Sequence, residues 1–159
     1  PKDKTINLSE DVYHQNSVAA AAVAAHECGH AIQHAQAYSW LEFRSAMVPV
    51  VNCSSRAMSI LFMLLIFGAG ANLMGWGTMM WILVILQGAV TLFTVVTLPV
   101  EYDASKRALV WLRNENMATS QEQDIAKDAL NAAANTYLVA ALASITQLAY
   151  FVLMAMGRD

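Results

Sequence analysis

Along this chain the charged positions fall into polar islands separated by two long apolar runs. No Asp, Glu, Lys, Arg or His occurs from Ala57 to Val100, which is 44 residues, and none from Ala129 to Gly157, which is 29. A helix crosses the hydrocarbon core of a bilayer in about 20 residues, so the first run suits two crossings and the second suits one. Gly68, Gly70, Gly75 and Gly77, with Asn72, mark a turn inside the first run. The pattern therefore predicts a helical hairpin, Met58 to Leu73 and Thr78 to Leu98, and a third span from Thr136 to Met156. Before the hairpin, Trp40 to Arg56 mixes Leu41, Phe43, Met47, Val48, Val50 and Val51 with Glu42, Arg44, Asn52 and Arg56. Pro49 should bend this stretch, which reads as an interfacial or kinked helix leading into the membrane.

The polar islands carry their own signals. Ser17 to Ala25 is rich in strong helix formers, and Asn16 or Ser17 is a suitable N-cap, so a helix is expected from about Ser17 to Gln36. After the hairpin, Ser105 to Leu112 continues as a helix and Asn114-Glu115-Asn116 reads as a turn. Thr119 or Ser120 should cap an amphipathic helix, with Glu122 and Asp124 favourably placed at its N-terminal dipole. Thr5-Ile6-Asn7-Leu8 looks extended and reads as an ordinary surface connection in preference to an edge strand that would hold a peptide by strand addition. The expected architecture is a mainly all-α, integral membrane helical bundle read as one domain over residues 1–159. Its parts are a motif helix and interfacial helix (1–56), a transmembrane hairpin (57–100), a polar segment with an amphipathic helix (101–135) and a last transmembrane helix (136–157).

Composition sharpens this picture. The chain is 57% hydrophobic and only 13% charged, against about a quarter charged in soluble domains. The lipid bilayer is thus an expected partner. A net charge of -3 without a basic cluster argues against nucleic acid. The two cysteines, Cys28 and Cys53, form no C-x-x-C pair, so they read as free thiols rather than metal ligands or a disulfide. The first residue is Pro1, not Met, which predicts an upstream segment such as a signal peptide or an earlier span. The oligomeric state leaves no signature.

Chemistry is concentrated in Ala25-His26-Glu27-Cys28-Gly29-His30. Two histidines four apart on a helix lie one turn apart, so both imidazoles can meet one metal ion while Glu27 stands beside them. This is the H-E-x-x-H pattern of zinc hydrolases. A catalytic zinc takes three protein ligands and leaves one position open, so a third ligand must come from elsewhere. His34, eight residues beyond His26, sits about 12 Å further along the axis and cannot reach the same ion; it reads as a supporting or surface residue, and His14 as a solvated loop histidine. A hairpin returns the chain to the side it left, and Glu101, the first charge presented there, is the best candidate; following Pro99, it should open a helix on that face. Asp103 and Asp11 compete with it, and the alternative reading of Glu101 is an ordinary interfacial or helix N-terminal carboxylate. Gly29, lacking a side chain, would let another element come close to the metal. Arg44, Arg56, Lys106, Arg107 and Arg113 flank the spans, and the positive-inside rule puts that face in the cytoplasm.

H-E-C-G-H, followed after an apolar hairpin by L-P-V-E-Y-D-A-S, resembles the YugP-type family of bacterial membrane-bound neutral zinc metallopeptidases over nearly the whole chain. More distantly it is similar to membrane gluzincins of the HtpX and CAAX-protease group. The resemblance implies a multi-pass cell-membrane metalloendopeptidase acting on a protein or peptide substrate. It implies one Zn2+ per chain on His26, His30 and Glu101, Glu27 as general base, and a further N-terminal span. Where the gluzincin pattern often has Asp, four residues after the glutamate, this chain has Ser105, with an acid instead at Asp103; the partner that supports the ligands is therefore open between them. Two other readings are an intramembrane protease of the site-2 kind, disfavoured by the polarity of His26 to His34, and a non-catalytic membrane scaffold that holds zinc or nothing.

Overall fold

The computed structural model describes residues 5–67 and 75–157. Its elements are α1 (Glu10–His14), α2 (Val18–Ala35), α3 (Ser39–Ile66), α4 (Trp76–Asn114) and α5 (Ser120–Met156). Among the described residues there is no strand, and α3, α4 and α5 are each long and apolar enough to cross a membrane. The chain is an all-α membrane helical bundle.

Local sequence explains where these helices start and stop. The Ser17 hydroxyl accepts from the Ala20 amide at 3.2 Å and opens α2. At its other end Ala37 takes φ 49°, and the amides of Ala37 and Tyr38 return to the carbonyls of His34 and Gln33. This satisfies carbonyls that the last turn leaves open. The same device ends α4, with Asn116 at φ 51° and the Met117 amide on the Leu112 carbonyl, as the Asn114-Glu115-Asn116 turn implied. Thr119 and Glu122 form the reciprocal cap that opens α5: the Glu122 carboxylate accepts from the Thr119 amide at 2.8 Å and its hydroxyl at 2.7 Å.

Three expectations need correction. The stretch around Pro49 and the first span, read as separate segments, are one helix, α3, with Pro49 inside it. Pro99 likewise lies inside α4, so Glu101 does not open a helix but sits within one. A proline removes a single N–H, and helices packed among neighbours in a membrane tolerate it. The amphipathic helix and third span also merge, into α5. Thr5 to Leu8 is the surface connection the sequence favoured, and it leads into the short α1, capped by Ser9, which the apolar pattern did not announce. Of the proposed hairpin turn, Gly68, Gly70 and Asn72 lie outside the described residues.

Tertiary packing divides the chain into two compact units, Pro1–Phe43 with Thr97–Leu138, and Arg44–Val96 with Val139–Asp159. In the first, Ala22 and Ala25 of α2, Ala108 and Leu112 of α4, and Ala126 and Leu130 of α5 form the core. Small side chains let the three helices approach closely, and each buried leucine contributes about 1.5–3 kcal/mol. In the second, Leu61 of α3 packs with Met79, Met80 and Leu83 of α4 and Phe151 of α5. Its outer face is apolar, with Ile60, Met63, Ile85, Leu92, Val139 and Leu153 exposed, as a lipid-facing surface requires. Inside it Ser144 receives hydrogen bonds from Gln87 at 3.1 Å and meets the Thr91 hydroxyl at 2.9 Å. Such interhelical bonds hold α4 to α5 where apolar burial gives no advantage over lipid.

Candidate metal centre

The site belongs to the first unit. Successive turns of α2 present His26 and His30, whose rings meet edge to face with centroids 4.6 Å apart. Facing them is Glu101 of α4, its side chain only 3% exposed. The His26 Nε2 lies 3.2 Å from Glu101 Oε2, and the His30 Nε2 lies 3.4 Å from the same oxygen. One ligand atom from each residue falls within 4.8 Å of the others. Zinc bonds of about 2.0–2.2 Å at tetrahedral angles separate neighbouring ligand atoms by about 3.3–3.6 Å, so the spacing suits that ion. Among the described residues, Asp11, His14 and His34 are not part of this group, and all three are exposed.

The close approach of α2 and α4 depends on Gly29. A Cβ there would stand 2.7 Å from the Ala104 carbonyl oxygen. Only a hydrogen fits, and this is what lets an imidazole from one helix reach a carboxylate on the other. Cys28, on the next position around the helix, is exposed.

Both residues left open as supporting partners make contacts, on different histidines. Ser105 Oγ lies 3.1 Å from His26 Nδ1. Asp103 reaches His30 through an intermediary that sequence reasoning missed: Gln33, fully buried, places its Oε1 3.0 Å from His30 Nδ1 and donates from Nε2 to Asp103 Oδ2 at 2.8 Å. Gln33 also donates to the Val100 carbonyl at 2.9 Å. Arg107 pairs with Asp103 one turn along α4 and donates to Gln36 Oε1 at 2.6 Å. The available signal was position: Gln33 lies three residues after His30, on the same helix face.

The electrostatics follow. Burial disfavours a charged His30, but hydrogen bonds to Glu101 and Gln33 and the charges of Glu101 and Glu27 outweigh it, holding the imidazole pKa above its ordinary value. Glu27 is half-buried on the same turn of α2. A buried carboxylate oxygen facing two ring nitrogens is a cation-binding arrangement, for a proton or for a metal ion.

Residues 1–156 match the family described as "Putative neutral zinc metallopeptidase". The chain belongs to this family. It is also 39% identical over 160 residues to the Bacillus subtilis protein named "Putative membrane protease YugP", covering all of this chain and 68% of that relative. No solved structure matches it. Membership implies zinc, and the His-His-Glu group has the donor types and spacing to accept it.

Proposed function

We propose that this protein is a membrane-embedded, zinc-dependent metalloendopeptidase. His26, His30 and Glu101 would hold one zinc ion, and the observation that carries the reading is their convergence in a chain of the zinc metallopeptidase family. Two imidazoles and one carboxylate are the three-ligand donor set of zinc hydrolases, and would supply the protein's share of a catalytic zinc site. Bound zinc supplies Lewis acidity, which makes water a nucleophile near neutral pH and polarises a peptide carbonyl. Glu27, adjacent to a ligand but outside the His-His-Glu group, accepts the proton of the attacking water and returns it to the leaving amine. Glu101, buried, would as a carboxylate offset the charge of the ion. Lys106, Arg107 and Arg113 on α4 favour a cytoplasmic site in a multi-pass cell-membrane protein.

The decisive test is Glu27→Gln in detergent. Peptide hydrolysis should disappear while zinc per chain, measured by elemental analysis, remains that of the unaltered protein. Retained hydrolysis, or loss of zinc along with activity, contradicts the role given to Glu27.

A further inference from the structure

We propose that Gln33 is a positioning residue that fixes the tautomer of His30, so that the two histidines of the site are held by unequal means. This inference rests on the reading of His26, His30 and Glu101 as metal ligands. A primary amide offers one oxygen acceptor and two donor hydrogens, and crystallographically similar ends are told apart by their partners. Here the partners leave no ambiguity. Gln33 Nε2 faces the Val100 carbonyl at 2.9 Å and the Asp103 carboxylate at 2.8 Å, both acceptors only. The amide nitrogen must therefore point at them and the oxygen at His30.

The consequence is transmitted to the ring. An oxygen 3.0 Å from His30 Nδ1 needs a proton on that nitrogen. In the neutral imidazole Nε2 then carries the lone pair, and Nε2 is the atom that faces Glu101 Oε2 at 3.4 Å. Two acceptors so close need a positive centre beside that oxygen, a metal ion or, without one, the Nε2–H of His26 at 3.2 Å. Gln33 thereby presents the ring in the only neutral form that binds a metal through Nε2. Arg107, paired with Asp103 and braced on Gln36, holds the carboxylate end of the chain.

His26 is held differently, with its Nε2 3.2 Å from Glu101 Oε2. Its Nδ1 meets the Ser105 hydroxyl at 3.1 Å, and a hydroxyl can donate or accept with equal ease. The hydroxyl does not choose the proton; in the absence of a metal ion the Glu101 carboxylate does, accepting from Nε2 while Nδ1 accepts from Ser105.

The test uses the full chain in detergent micelles, labelled with 15N-histidine, stripped with a chelator and studied at a pH well above the imidazole range. His30 is assigned by the signal missing from His30→Gln. The expected result in the unaltered protein is a proton on Nδ1 of His30 and, opposite the Glu101 carboxylate, on Nε2 of His26. Gln33→Leu should give a mixture at His30 and weaken zinc binding about 10–100-fold, the range for a partner that orients a ligand. Gln33→Glu keeps an acceptor for Nδ1 while losing the donors to Val100 and Asp103, so it should retain the Nδ1 proton although it destabilises the fold. A merely structural Gln33 would leave Leu and Glu variants alike in tautomer, which overturns the proposal. So does a proton on Nε2 of His30 in the unaltered protein, a measurement that stands even if Gln33→Leu does not fold. If the tautomer pattern is as expected but the unaltered protein binds no zinc, the metallopeptidase reading falls and the lock survives.

Discussion

Gly29→Ala tests the contact on which the site's geometry depends. The new methyl group would lie 2.7 Å from the Ala104 carbonyl oxygen and 3.2 Å from the Ala104 carbonyl carbon and Cα. All three are backbone atoms of a long helix, so no flexible side chain can yield. Ordinary contact begins near 3.4 Å, and α2 and α4 must therefore separate by about 0.7 Å, or rotate to the same effect, to relieve repulsion on the steep wall of the van der Waals potential. Overpacking of this kind costs about 1–3 kcal/mol. Helix propensity acts the other way, since alanine is favoured over glycine by about 1 kcal/mol in a helix interior, so the net loss should be about 0–2 kcal/mol. The larger effect is on the site. His26 and His30 flank Gly29 on one helix, and Glu101 precedes Ala104 on the other, so the separation falls on the 3.2 and 3.4 Å spacings themselves. Functional constellations tolerate displacements of about 0.5 Å. Zinc affinity should thus drop by at least tenfold while thermal unfolding in detergent shifts by only a few degrees. Competition with a chromophoric chelator measures the first and a melting curve the second. Unchanged zinc affinity would refute the idea that Gly29 sets the helix spacing.

Glu101→Ala should lower zinc content and hydrolysis together, whereas Asp103→Ala, which acts through Gln33, should weaken binding by about 10–100-fold; full zinc in Glu101→Ala with loss in Asp103→Ala would move the ligand role to Asp103. His30 has a raised pKa, so its interactions stabilise the metal-free fold below the unfolded-state pKa and that contribution is lost as pH rises through the folded value. Zinc needs the neutral ring, so apparent zinc affinity should increase over the same rise, and opposite pH slopes for metal-free and zinc-loaded melting temperatures are expected; parallel slopes would count against His30 as a ligand. A reporter fused after Arg113 should be cytoplasmic and one inserted at Gly70 should lie on the other side, and finding both on one side would remove the hairpin.

The sequence alone determined what depends on local rules. Charge-free runs announced the apolar helices, Ser17 and Thr119 announced helix starts, and H-E-x-x-H put two imidazoles on one face, because periodicity and capping involve neighbours within a few residues. It misjudged continuity at Pro99, where Glu101 was expected to open a helix, since whether a proline ends a helix depends on what packs around it. It could nominate Glu101 only from the return of the hairpin, with Asp103 and Asp11 as rivals, and it could not assign supporting roles to Ser105 and Asp103. Those answers require knowing which face of α4 meets α2 and how closely. The registration of Ala104 against Gly29 decides both: it turns Glu101 and Ser105 toward His26 and sends Asp103 to Gln33. Contacts separated by some seventy residues carry no local signature, so the fully buried Gln33, an unremarked polar residue in the sequence, becomes significant only when two helices pack without a side chain between them.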